Sequence, residues 1–162
     1  MRTPTKVKRK DSTPDEHEEH VLSSLLQSCN EDGRSRVLSK FAEHECEKVD
    51  RAVELVLKYQ ERVKKYDSRK NVKSDLNDEE IEQLYIDRLD AGLYTLQRIV
   101  LILADVCVNG SSVCRTRALK FGSILLQILE EYEINLGAEA EEERKRVRLL
   151  MARLSSLEKT QT

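Results

Sequence analysis

The apolar positions of this chain recur at helical spacing, and no stretch alternates in the two-residue period of a strand. Val21, Leu22, Leu25, Leu26 and Cys29 make one stripe of a helix beginning near Asp15, with Asp15, Glu16, Glu18 and Glu19 on the first turns, where the helix dipole favours negative charge. Asn30 and Gly33 interrupt it. A short helix from Arg34 to Glu43 follows, with Val37, Leu38 and Phe41 inward. His44 to Cys46 reads as a junction. Val49, Val53, Val56, Leu57 and Val63 then predict a third helix, to about Tyr66, and the polar stretch Ser68 to Asn77 predicts the longest internal loop. Asn77 with Glu80 three positions on has the form of a capping box. From there Ile81, Leu84, Ile86, Leu89, Leu93, Leu96, Ile99, Val100, Leu103 and Cys107 predict one long helix to about Val108, with Gly92 marking a bend or the close approach of a neighbour. Beyond Val100 the apolar residues surround the axis, as in a helix at the middle of a stack. Asn109-Gly110 stops it. Ser111 or Ser112 caps a short helix to about Phe121, Ile124 to Leu136 forms the next, and Gly137 is placed as its C-terminal glycine. The last helix starts near Glu139 and carries the stripe Val147, Leu150, Met151 and Leu154, with Glu141–Lys145 and Glu142–Arg146 as i,i+4 pairs.

The expected fold is therefore all-α, about seven helices with short connections. Alternating short and long amphipathic helices suit an armadillo-like helical repeat or the C-terminal end of an α-solenoid. Composition supports helix: five Gly, two Pro (both near the front) and 36% charged residues in a chain of 162. Residues 1–14, basic and almost without apolar side chains, read as a disordered tail, 15–157 as the helical domain, and 158–162 as a disordered C-terminus. Lys6, Lys8, Arg9 and Lys10 are the kind of short basic run that nuclear import receptors recognise; a plain solvated tail is the simpler reading.

Lys+Arg 28 against Asp+Glu 30 argues against a chain built mainly to grip nucleic acid, and 4% aromatic residues with no Trp leave little for base stacking. The run Leu93 to Val108, broken by Gln97, Arg98 and Asp105, reads as a buried helix, too short and too charged for a membrane span. With no CxxC pair and no secretory signal, Cys29, Cys46, Cys107 and Cys114 are expected as reduced thiols, mostly small core residues.

Three passages carry a family resemblance: 21-VLSSLLQ-27 with 37-VLSKFAEHECEKVDRAVEL-55, then 88-RLDAGLYTLQRIVLILADVC-107, then 122-GSILLQILEEYEINLG-137. In order and spacing they resemble the C-terminal part of the beta-catenin-like protein 1 family, and the likeness spans about residues 20–153. It implies an armadillo-like fold in a nuclear, non-enzymatic scaffold that accompanies the nineteen complex of the spliceosome in pre-mRNA splicing. Family members recognise basic nuclear-localisation-type segments of splicing partners. They are also several times longer, with most of their repeats before the matched part. The chain is thus expected as a fragment, an incomplete gene model or a reduced relative, and no peptide-contacting residue is carried over.

Chemistry-bearing groups are few. His17, His20, His44 and Cys46 are the one cluster of metal-ligand types, but His17-x-x-His20 lies near a helix end and His44-x-Cys46 in a junction, and exposed polar residues explain them better. Cys107 and Cys114 flank a turn and could approach each other; free thiols are the plainer expectation. Asp87, Asp90 and Asp105 lie in or beside the most apolar helix, where capping or pairing with Arg88 and Arg98 explains them better than acid–base catalysis. No enzyme activity, metal or cofactor is expected. Arg144, Lys145, Arg146, Arg148 and Arg153, with Arg115, Arg117 and Lys120, ground the runner-up, a helical nucleic-acid-contacting module. Asp78, Glu79, Glu80 and Glu82 are candidates, by composition, for receiving a basic peptide of a protein partner. A homodimeric adaptor is a third reading, since the apolar run Val100–Ala104 could exceed what the chain covers by itself.

Overall fold

The computed structural model describes Val21, residues 31–70 and residues 75–160. The expected tail of residues 1–14 with Lys6, Lys8, Arg9 and Lys10, the helix expected over 15–29, and His17, His20 and Cys29 lie outside the described residues, Val21 apart. Among the described residues there are seven α-helices and no strand: α1 (Glu31–Ala42), α2 (Glu47–Arg69), α3 (Asp78–Arg88), α4 (Tyr94–Asn109), α5 (Ser112–Leu119), α6 (Gly122–Ile134) and α7 (Glu141–Thr160).

Helix α4 is the axis of the fold. It packs against α2, α5, α6 and α7, and every residue from Ile99 to Cys107 is buried. The run Val100–Ala104, the ground for expecting a dimer, is therefore covered within the chain. Burial of each large aliphatic side chain here contributes about 1.5–3 kcal/mol. Together α3 and α4 form one bent helix, Asp78–Asn109, of 32 residues. By length and composition this longer helix, of which the run Leu93–Val108 is a part, could cross a membrane. The expected burial holds: most of its apolar stretch is covered by the other helices.

The bend between α3 and α4 has a definite cause. At Leu89–Leu93 the helix widens by one residue, and the Tyr94 N–H reaches back to the Leu89 carbonyl. Gly92 takes φ +136, and a Cβ there would lie 3.0 Å from Tyr59 Cδ1 and 3.9 Å from Arg62 Cβ of α2. Only glycine meets both demands, the backbone angle and the close approach. The bend swings α3 away from the core, so none of its residues is fully buried. Ile81 and Ile86, expected on the buried stripe, are instead 52% and 44% exposed.

Other expected boundaries move for local reasons. The cap at Asn77 is present, its Oδ1 accepting the Glu80 N–H at 2.8 Å, and Ser111 Oγ caps α5 by accepting the Cys114 N–H at 3.3 Å. Helix α6 ends at Ile134, and Gly137 does not adopt the left-handed conformation expected of a terminal glycine. The carbonyls at that end find side-chain donors instead. Asn135 Nδ2 bonds the Glu131 carbonyl at 2.8 Å and Arg144 Nη2 the Leu136 carbonyl at 2.8 Å. On α7 the acid–base pairs use i,i+3 spacing, Glu141 with Arg144 at 3.1 Å and Glu143 with Arg146 at 4.0 Å. Arg144, drawn toward the end of α6, stands beside Glu141 in place of Lys145. Helix α7 continues past residue 157 to Thr160.

The junction between α1 and α2 is the least ordinary backbone in the fold. His44, Glu45 and Cys46 all take the left-handed conformation, with φ of 53, 58 and 64. Such a conformation costs an L-residue roughly 1–2 kcal/mol each. It is held from α5: Cys46 is disulfide-bonded to Cys114, and Arg117 Nη1 bonds the Glu45 carbonyl at 2.5 Å and Asp50 at 3.0 Å. The expectation of reduced thiols is corrected here, as is the pairing weighed for Cys107 with Cys114. The left-handed turn brings Cys46 to α5 across a sequence separation of 68, while Cys107 stays free and buried in α4.

Candidate protein-interaction surfaces

Helix α3 presents the acidic residues singled out above. Asp78, Glu79, Glu80 and Glu82 are exposed and make no ion pair among the described residues. At 100° per residue, Asp78, Glu82, Ile86 and Glu79 share an arc of roughly 100°, and Ile81 lies about 60° beyond it, on the far side of the inward Tyr85. Glu80 falls on the opposite flank, and its backbone N–H is engaged by Asn77. Three of the four carboxylates thus come together around exposed Ile86. The helix dipole accounts for acids on a first turn; it does not account for exposed Ile81 and Ile86 beside them.

What orients α3 is polar. Arg88, at its end, spans two helices, with Nε 3.0 Å from Asp67 Oδ1 of α2 and Nη1 2.5 Å from Glu131 Oε1 of α6. Burial opposes its charge, but the hydrogen bonds and fields of Glu131 and Asp67 outweigh burial and raise its pKa. Tyr85 holds the inner face by accepting a hydrogen bond from Gln97 Nε2 of α4 at 3.1 Å. The acids weighed as catalytic are placed differently. Asp87 accepts from Gln83 Nε2 at 2.9 Å, Asp90 is exposed, and buried Asp105 accepts from Asn109 Nδ2 at 2.6 Å. Arg88 and Arg98 pair with none of them. Arg98 lies between the rings of Tyr94 and Tyr132, 5.3 Å from each centroid, and donates to the Tyr132 hydroxyl at 2.8 Å. That hydroxyl donates in turn to Glu143 of α7 at 3.0 Å. Burial raises the Tyr132 pKa, with Arg98 opposing and Glu143 assisting.

A second surface lies at the far end of α4. Two shallow clefts of about 360 and 340 Å3 meet at Val108 and Arg153. Ser35 and Leu38 of α1 form one wall, and Leu149, Leu150 and Arg153 of α7 the other. Sequence reasoning missed this groove, because its walls lie more than a hundred residues apart.

The basic residues proposed for nucleic acid are largely spent on the protein itself. Arg115 Nε donates to the Cys107 carbonyl at 2.8 Å, closing the C-terminus of α4, and Arg117 braces the left-handed turn. Arg144 caps α6, Arg146 meets Glu143, and Arg148 Nε lies 2.6 Å from Glu133 Oε1. Lys145 and Arg153 are exposed on α7, and Lys120 is exposed in the turn after α5. No continuous basic face results among the described residues. Of the metal-ligand cluster, Cys46 is taken by the disulfide and His44 is exposed. The Cys107 thiol is pushed up to about 12, by burial first, against the opposing field of Arg115 and with a small push from Glu158. At neutral pH it is a protonated core residue, not a nucleophile.

Residues 1–146 match the family model described as catenin-beta-like, Arm-motif containing, nuclear. The chain is 39% identical over 155 residues to the beta-catenin-like protein 1 of Bos taurus and 38% identical over 156 residues to that of Homo sapiens. Each match covers 85% of this chain and 28% of the relative, so the chain spans little more than a quarter of those relatives' length. The expected all-helical, armadillo-like fold and the expected nuclear setting agree with this description. By the family model and the relatives alike, the chain belongs to the catenin-beta-like, Arm-motif-containing nuclear family.

Proposed function

We propose that this chain is a non-enzymatic protein-interaction scaffold of the splicing machinery, working alongside components of the spliceosomal nineteen complex and receiving a basic segment of a protein partner on α3. The observation that carries the docking reading is the exposed pair Ile81 and Ile86 beside Asp78, Glu79 and Glu82, on a helix that the bend at Gly92 holds away from the core. Unpaired carboxylates attract a Lys- or Arg-rich segment and guide its encounter, and adjacent apolar side chains add burial that charge alone does not provide. The splicing association rests on membership of the family. Native affinity purification of the tagged chain from nuclear extract tests it. Enrichment of nineteen-complex proteins, lost when Asp78, Glu79 and Glu82 are changed together to Lys, is the expected result. Recovery of chaperones alone, or enrichment that the triple variant leaves intact, counts against the assignment. A nucleic-acid module has less in its favour, because most of the arginines that suggested it already bond carbonyls or pair with acids.

A further inference from the structure

We propose that the Cys46–Cys114 disulfide is a reversible redox latch: oxidised, it pins the left-handed turn and α1 to α5; reduced, it lets the turn relax and frees the α1 wall of the groove shared with α4 and α7.

Three observations converge on the turn. Three successive non-glycine residues, His44, Glu45 and Cys46, hold a conformation that L side chains rarely adopt, so the turn persists only while something over-determines it. Two tethers come from α5. The disulfide joins backbones 5.6 Å apart at Cα, and Arg117, three residues after Cys114, grips the Glu45 carbonyl and Asp50. The last turn of α1 is drawn into the same knot, with Cys114 Sγ 3.5 Å from the Phe41 carbonyl. Among residues 35–42, only Val37 and Phe41 are fully buried, so α1 has few core anchors of its own. The same helix supplies Ser35 and Leu38 to the groove opposite Leu149 and Leu150. Whatever fixes the turn therefore fixes that wall.

The inference does not depend on the docking role of α3. It uses the family's nuclear setting, a compartment whose thiol pool keeps most cysteines reduced and where a disulfide serves redox sensing. The exchange balances with glutathione. A glutathione thiolate attacks one sulfur of the pair, giving a mixed disulfide and releasing the other cysteine, which takes up a proton. A second glutathione displaces the first as glutathione disulfide, and the remaining cysteine is protonated. Two thiols are oxidised and two are formed. Cys46 and Cys114 are only 2% and 1% exposed, so attack waits on opening of the turn, and the rate of reduction reports that opening.

The test uses the full chain equilibrated in glutathione buffers from oxidising to reducing. Quenched alkylation and mass spectrometry measure the Cys46–Cys114 linked peptide, and hydrogen exchange is followed in the same samples. The expected result is conversion of the linked peptide to two thiols, with exchange across residues 35–47 at least ~10-fold faster and α6 and α7 unchanged. Cys46→Ser should exchange fast in every buffer, and Arg117→Ala should still form the bond but lose it several-fold faster. The wild-type chain supplies both states, so the comparison stands even where Cys46→Ser fails to fold. Absence of the linked peptide at every oxidising poise overturns the proposal. So does its formation without any change in exchange, and so does loss of protection throughout the chain, which marks a global cross-link and not a latch.

Discussion

Gly92 joins two requirements at one backbone position, a φ of +136 and a Tyr59 ring carbon 3.0 Å from where a Cβ would stand. Gly92→Ala therefore meets strain and a clash together and is expected to destabilise the chain by about 2–3 kcal/mol. Chemical denaturation at equilibrium reads this directly, and a change under 1 kcal/mol would contradict the reading of the bend. The sequence marked this glycine because it interrupts an otherwise continuous apolar stripe. Cysteine pairing was not legible in the same way: Cys46 and Cys114 are 68 residues apart, and only the left-handed turn brings them together. Cys107 gives a prediction with a definite sign. Its folded pKa is raised from 9.0 to about 12, so between those values the folded chain keeps a proton that the unfolded chain gives up. Stability is full below pH 9 and falls as pH rises toward 12, by on the order of 4 kcal/mol at most. Cys107→Ala, less stable at pH 7, should show a flatter stability curve over pH 9–11; an unchanged slope would remove Cys107 as its source.

At the scale of elements, the segments legible in the sequence are those whose own side chains fix them. The Asn77 cap, the Ser111 cap and the all-round burial of α4 follow from local pattern. Features set by a distant partner were not legible. Gly137 looked like a helix terminator, but Arg144 from the next helix already serves the carbonyls there. Ile81 and Ile86 looked like core, because the period continues through a bend that periodicity cannot register. The candidate site was half legible. Asp78, Glu79 and Glu82 were marked by composition, whereas the exposed apolar residues that favour a docking role emerge only when α3 leaves the core. Since α3 is held by its cap, by Tyr85 and by Arg88 more than by burial, Asn77→Ala should cost α3 about 1 kcal/mol. Amide exchange in α3 should then quicken roughly 5-fold while α4 keeps its protection. Equal loss in both helices would show that α3 is not the separable element described here.

For the molecule as a whole, the described helices gather around α4, with Arg88, Arg115, Arg117 and Arg144 engaged by acids and carbonyls, and the acidic α3 stands out from that body. On the proposed reading, α3 receives a basic segment through charge and burial together. Fluorescence anisotropy of a labelled Lys/Arg-rich peptide carrying apolar residues, titrated with the full chain, tests it most directly. Saturable binding is predicted, weakened at least ~10-fold by Asp78→Asn, Glu79→Gln and Glu82→Gln combined, and separately weakened several-fold by Ile81→Ser with Ile86→Ser. Binding that all five substitutions leave unchanged, or no binding at low salt, would contradict it.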